Sequence, residues 1–176
     1  MPKKNSNSLF VAAGKLKTIP RAGWVKKVRI KDAESVADHS FRMAVIGMYL
    51  GQVLDLDSEK IVRMCLLHDL AESKIGDLTP EEKKSEKEHR EMEDKIMNGI
   101  LASLPKKARK RFSKDWKELL QAKSKESKLV WQIDKLEMGM QMKDYASSGI
   151  DRKLLAEFDP SKLLTGKLKE ILEEYL

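Results

Sequence analysis

At 176 residues, with 41% hydrophobic and 36% charged side chains, the chain is long enough to bury a core of its own and too apolar to stay disordered. A single cysteine, Cys65, excludes an internal disulfide, and no apolar run approaches the length of a membrane span. The net charge of +7 is unevenly placed: residues 1–31 carry nine Lys or Arg and no acid, so that segment holds +9 and the remainder −2.

The opening MPKKNSNS is basic but has no apolar core of signal-peptide length. Together with a lone cysteine in an apolar stretch, read as a small buried hydrophobe in a reducing compartment, this points to a cytoplasmic protein. The basic segment has two readings. It is a solvated tail, or a local field that attracts anionic substrates or nucleic acid. The bias of the charged residues towards Lys and Glu is the composition of ion-pair networks at high temperature.

Gly14, Pro20 and Gly23 divide the N-terminal segment into a helix-like piece and a loop. Ser35 then opens a helix, with Asp38 three residues on as a capping-box variant and Ala37, Phe41, Ala44, Val45 and Met48 at helical spacing. A second helix begins near Ser58, carries Ile61, Val62, Cys65, Leu66 and Leu67, and is expected to run to Gly76. Thr79-Pro80-Glu81-Glu82 reads as a helix start: a cap, Pro in the first turn and early acids. That helix, charged on nearly all sides over 81–95, ends at Leu104-Pro105, and the next covers about 106–123. Residues 127–145 form another, with Leu129, Ile133, Leu136 and Met140 on one face and its methionines filling the core or meeting a subunit. Gly149 and Pro160 punctuate the tail before an amphipathic helix over about 166–176. With almost no period-2 alternation, no repeat and no linker, the expected fold is all-α. One domain is expected over 1–176, with a motif-bearing core at about 19–145 and a helical extension at 150–176.

The chemistry lies in acids and histidines set among apolar residues. His68 follows Met64-Cys65-Leu66-Leu67 and precedes Asp69, an acid that is costly to bury unless it is paired or binds a cation. Glu72 lies four residues beyond His68, on the same face if the helix continues, and Asp77 follows Gly76. His39 sits in the preceding helix after Asp38, and Asp134 interrupts Leu129-Val130-Trp131-Gln132-Ile133. Each acid alone reads equally well as a boundary residue paired with Lys or Arg. Together, two imidazoles and two carboxylates from three helices make a mixed N/O cage for a divalent ion. The absence of sulfur argues against structural zinc, and two open positions on a six-coordinate ion favour Mn, Co, Ni or Fe over Zn. His89, in Glu86-Lys87-Glu88-His89-Arg90, reads as a surface residue, which leaves one catalytic ion.

Arg21-Ala22-Gly23-Trp24-Val25, Glu34-Ser35-Val36-Ala37-Asp38-His39-Ser40, Leu67-His68-Asp69-Leu70-Ala71-Glu72, Gly76-Asp77 and Gln132-Ile133-Asp134-Lys135 fall in an order that resembles the motifs of HD-domain phosphohydrolases. The resemblance is nearest to their 5′-deoxynucleotidase branch and runs from about 19 to 145. It implies an all-helical homodimer that hydrolyses deoxyribonucleoside 5′-monophosphates with a divalent metal. By motif position it implies His39, His68, Asp69 and Asp134 as metal ligands and Glu72 and Asp77 as catalytic carboxylates outside the metal shell. It also implies Arg21 as the phosphate ligand and Trp24 as a residue shaping the pocket. The lysine-rich stretch around 106–125 departs from the pattern and lies outside the motifs.

Such an ion would act as a Lewis acid and activate a water, Glu72 would orient or deprotonate that water, and Asp77 would protonate the leaving oxygen or hold the substrate. Two rival readings follow from the same residues: a phosphodiesterase or nucleoside-triphosphate hydrolase, and a nucleic-acid-binding protein with an HD-like core. The Arg-Ala-Gly-Trp segment favours the monophosphatase, and the chain has no aromatic-interleaved basic motif, so neither a nucleic acid nor a membrane is an expected partner.

Overall fold

Caps and apolar stripes convert into helices along the whole chain. The computed structural model describes residues 7–83 and 85–175; Lys3 and Lys4 of the basic segment, most of the MPKKNSNS opening and Leu176 of the terminal helix lie outside the described residues. Nine α-helices follow in order among the described residues: α1 (Asn7–Leu16), α2 (Val36–Val53), α3 (Ser58–Leu67), α4 (Glu72–Ile75), α5 (Glu86–Ala102), α6 (Lys106–Gln121), α7 (Lys125–Ser147), α8 (Arg152–Leu155) and α9 (Gly166–Glu174). The described residues contain no strand, only an isolated bridge between Pro20 and Ser35, so the all-α expectation holds. No described helix is long and apolar enough to cross a membrane.

The expected capping box forms at α2: Asp38 N–H donates to Ser35 Oγ at 3.2 Å, and Ser35 N–H to Asp38 Oδ2 at 2.9 Å. Other boundaries differ from the periodicity. The helix read from 58 to 76 stops at Leu67, turns over 68–71 and resumes as α4. Thr79-Pro80 opens only a 3-10 turn, Pro80–Glu82, although the Thr79 N–H to Glu82 bond of 3.0 Å is made. Without apolar residues to bury, that start has nothing to propagate it. The chain becomes extended at Lys83, and Ser85 caps α5 by accepting from Glu88 N–H.

α7 is the central element, packing on α2, α3, α6 and α9 and burying Leu129, Val130, Ile133, Leu136 and Met140. α2 and α3 pack at close range, because a Cβ on Gly47 would stand 2.8 Å from Ile61 Cγ2 and one on Gly51 2.7 Å from Ser58 Cα. That approach sets the end of α3 beside the first turn of α2. A smaller apolar cluster joins the loop after α1 to the C-terminal segment: Trp24, Val28 and Leu155 are buried, with Tyr145 and Phe158 packed around the indole. α9 closes over α7 through Leu168 and Leu172, and Lys143 Nζ donates to the carbonyl of Tyr175 at 2.9 Å.

Candidate metal centre

His39 lies in the first turn of α2 and is fully buried. His68 closes α3, its N–H still bonded to Met64 O at 3.0 Å. Beyond it the backbone tightens to bonds three residues back: Leu70 N–H to Leu67 O, Glu72 N–H to Asp69 O and Ser73 N–H to Leu70 O. The tighter turn carries Asp69 round to its own neighbour, and Asp69 Oδ2 stands 2.9 Å from His68 Nε2 and 3.8 Å from His39 Nε2. His68 and Glu72 are therefore joined through a turn, not along one continuous helix face as the periodicity suggests. From α7, Asp134 Oδ1 reaches to 3.3 Å from His39 Nε2. His39, His68 and Asp134 are brought together, and Asp69 stands beside the two imidazoles.

Both rings are oriented by their outer nitrogens. The Cys65 carbonyl, which can only accept, lies 2.6 Å from His68 Nδ1, so that nitrogen carries the proton. His39 Nδ1 meets Glu137. The two Nε2 atoms are thereby turned towards each other, 3.3 Å apart. Two lone pairs at that distance repel unless a proton or a cation lies between them. Burial and the Arg21 charge pull the His39 pKa down, but hydrogen bonds to Asp134 and Glu137 outweigh both and raise it to about 9. Burial opposes the charge of Asp134, yet His39 and Lys135 hold its carboxyl well below the ordinary range. Asp69 is likewise depressed against its burial by His68 and Arg21. The cluster thus holds two ionised carboxylates against an imidazole pair, a guanidinium and an ammonium. Ligand atoms of His39, His68 and Asp134 all lie within 4.8 Å of one another, and the all-N/O donor set fits a divalent ion.

Arg21 forms one wall. Its Nη1 is 3.2 Å from Asp69 Oδ2 and 3.8 Å from Asp77 Oδ1. Burial disfavours that charge, but Asp69, Asp77, Glu72 and Asp134 more than offset it, so the guanidinium stays charged. Asp77 also fixes the loop, its Oδ2 accepting from Ala22 N–H at 2.6 Å. Burial, with Asp69 and Asp77 nearby, pushes the Glu72 carboxyl well above the carboxylate range, and its Oε2 is buried without a hydrogen-bond partner. Trp24 is buried in the smaller apolar cluster and reaches the site through Glu34, donating from Nε1 to Glu34 Oε1 at 2.9 Å. Burial and the neighbouring Glu137 raise Glu34 to about 7.

Three features depart from the sequence reading. His89 is buried, not a surface residue, with Nε2 3.0 Å from Glu93 Oε1. The basic segment is partly neutralised, since Lys26 pairs with Glu82 and Lys27 with Glu81 and Glu157. Glu137, outside the motifs, is fully buried and in contact with His39 and Arg42. It lies three residues after Asp134 between Leu136 and Met138, the same acid-among-apolar anomaly that marked Asp134.

The HD domain family model matches residues 13–174. The chain is 36% identical over 148 residues to a 5′-deoxynucleotidase of Dictyostelium discoideum, covering 80% of this chain and 77% of that one. It is 37% identical over 132 residues to a human 5′-deoxynucleotidase, covering 75% of this chain and 64% of the relative, so it spans just under two thirds of that protein's length. Among solved structures, a conserved hypothetical protein from Pyrococcus furiosus superposes with a TM-score of 0.78 at 35% identity, covering 95% of this chain and 96% of that one.

Proposed function

The chain belongs to the HD-domain family, and from that premise we propose that it is a metal-dependent 5′-deoxynucleotidase, hydrolysing deoxyribonucleoside 5′-monophosphates to the deoxynucleoside and phosphate. The observation that carries the reading is the pair of Nε2 atoms 3.3 Å apart, walled by the Asp69 and Asp134 carboxylates and flanked by the charged Arg21.

His39, His68, Asp69 and Asp134 would hold one divalent ion. The absence of sulfur argues against a structural zinc, and two positions left open on a six-coordinate ion favour Mn, Co, Ni or Fe. When bound, that ion supplies Lewis acidity towards a phosphoryl oxygen and acidifies water. The protein does the rest. Arg21 offers a planar, permanently charged fork to the remaining phosphoryl oxygens. Asp77 holds the loop that carries Arg21, through Ala22 N–H, and its role in the reaction is to protonate the leaving 5′ oxygen or to hold the substrate. Glu72 takes the proton of the attacking water. Its Oε2 is buried with no competing partner, free to take that proton once the carboxyl is ionised. Trp24 backs the pocket by fixing Glu34.

The protein acts in the cytoplasm as a homodimer. A lone, buried, free thiol, Cys65, accords with a reducing compartment. Phe41, Val45, Met48 and Tyr49, exposed along α2, support the dimer.

A panel of nucleoside 5′-monophosphates, deoxy against ribo, assayed across Mn, Co, Ni, Fe and Zn with a chelator control, tests the reading. Phosphate release from deoxy substrates that stops with chelator is the expected result. Pyrophosphate release from triphosphates, cleavage of cyclic diesters, or activity indifferent to chelation would overturn it.

A further inference from the structure

His39 is clamped on both edges by a single helix. On one side Asp134 Oδ1 lies 3.3 Å from Nε2; one turn along α7, Glu137 Oε2 meets Nδ1. Glu137 is a fully buried charge, and a carboxylate in that position is costly unless each oxygen is satisfied. Its second oxygen, Oε1, accepts from Arg42 Nε at 2.8 Å. Arg42 in turn donates to Gln141 Oε1 at 2.6 Å and to Asp144 Oδ2, and Asp144 Oδ1 accepts from Tyr175 O–H at 2.9 Å. Residues 134, 137, 141 and 144 share one face of α7, and His39 and Arg42 share one face of α2. The two helices therefore meet through a ladder whose first rung is the imidazole and whose last is tied to the C-terminal segment.

We infer that Glu137, held by Arg42, is a positioning residue: it keeps the proton of His39 on Nδ1 and leaves Nε2 as the lone-pair donor to the metal. This rests on the metal-dependent reading above. Both rings spend Nδ1 on an acceptor outside the cage, but His68 uses a backbone carbonyl, Cys65 O, which comes with the fold. His39 uses a side chain, and a charged one, which makes the ring a better donor and can be removed by one substitution. Without it nothing in the contacts of His39 selects the tautomer that faces the cage. Arg42 serves the carboxylate in two ways. It neutralises a buried charge, and its three acceptors on α7 fix where Glu137 points.

Glu137→Gln tests this, because it keeps volume and one oxygen acceptor while removing the charge. The readout is the dissociation constant for Co2+ or Mn2+ of the folded, metal-stripped protein, by calorimetry against a competing chelator, with the Co2+ absorption spectrum as a second signature. Outer partners of metal-bound histidines are typically worth about 10–100-fold in affinity. A loss of that size is expected for Glu137→Gln, with kcat recovering as metal is raised to saturation. Glu137→Asp keeps the charge and the Arg42 pair but withdraws the carboxylate by one methylene. It is expected to fall between the two, and it decides the matter should Glu137→Gln fail to fold. Wild-type affinity in a folded variant overturns the inference, as does a lowered melting temperature with unchanged metal affinity. If the wild-type protein itself binds neither ion, the metal-dependent reading fails instead.

Discussion

Arg21 donates to Asp69 across 3.2 Å, so the cation that lines the pocket is engaged by the carboxylate that follows His68. On the proposed reading, a guanidinium in that place competes with a metal for the same carboxylates while offering itself to phosphate. Removing it should separate the two properties. Arg21→Ala is expected to bind metal as tightly as the wild type or more tightly, and to lose roughly 10–100-fold in kcat/KM, the range of about 1.5–3 kcal/mol for charged hydrogen bonds. Most of that loss should appear in KM. Metal titration and steady-state kinetics on one preparation check it; a loss of metal with Arg21 would place the side chain among the structural supports of the cage.

Asp69 and Glu72 stand three residues apart, yet their electrostatics are opposite. His68 and Arg21 depress Asp69 against its burial, whereas burial and two acids raise Glu72. The first is suited to hold a cation and the second a proton. Asp69→Ala should lose metal and activity together. Glu72→Gln should keep its metal and lose about 10²–10⁴-fold in kcat, the usual contribution of general acid–base help. Elemental analysis after dialysis, beside phosphate-release assays, distinguishes the two. Full metal content in Asp69→Ala would remove that residue from the ligand set.

The metal-stripped protein should be most stable in mild acid. Glu34 is raised from 4.5 to about 7 and His39 from 6.5 to about 9, so each binds more protons folded than unfolded across its window. Stability therefore falls as pH rises, through 4.5 to about 7 for Glu34 and through 6.5 to about 9 for His39. Asp69 and Asp134, both depressed below 3.8, act oppositely, and their contribution is lost only as pH falls below that value. Melting temperatures in chelator should peak near pH 4–5 and decline towards pH 9. Added Mn2+ should flatten the alkaline side, because the ion takes the place of the His39 proton. A chelated protein that gains stability between pH 6.5 and 9 would contradict this account.

The convergence of His39, His68, Asp69 and Asp134 is legible in the sequence because an acid or imidazole in an apolar helix is a local anomaly with few physical remedies. Glu137 carries the same signal, but Lys135, Gln141 and Lys143 make its helix look polar, and only the packing of α2 on α7 shows which face is shut. The break after Leu67 leaves no mark. Leu67, Leu70 and Ala71 preserve helical spacing with no Gly or Pro between them, so nothing local announces the change to bonds three residues back. His89 misleads for the opposite reason. Its neighbours Glu86, Lys87, Glu88 and Arg90 are all exposed, yet residues 89, 97 and 100 of α5 face inwards. Nearest-neighbour composition describes a helix surface poorly when one face in three is buried.

The dimer is testable through α2. Phe41, Val45, Met48 and Tyr49 recur at the spacing of one helix face; Phe41 is 69% exposed and Tyr49 56%, and α2 carries no charged residue after Arg42. In the proposed two-fold dimer such a face would meet its own copy, so a charge introduced once would be placed opposite itself. Val45→Glu with Met48→Glu should therefore lower the mass measured by light scattering from twice 20.2 kDa to 20.2 kDa, with helical content retained because both side chains point away from the core. Because His39 and Arg42 sit on the same helix, bracing α2 from outside also steadies the rung that orients the imidazole. The monomeric variant is accordingly expected to bind metal more weakly than the dimer. A wild-type protein that scatters as 20.2 kDa would sink the dimer, and a monomeric variant with full metal affinity would sever the link between assembly and the centre.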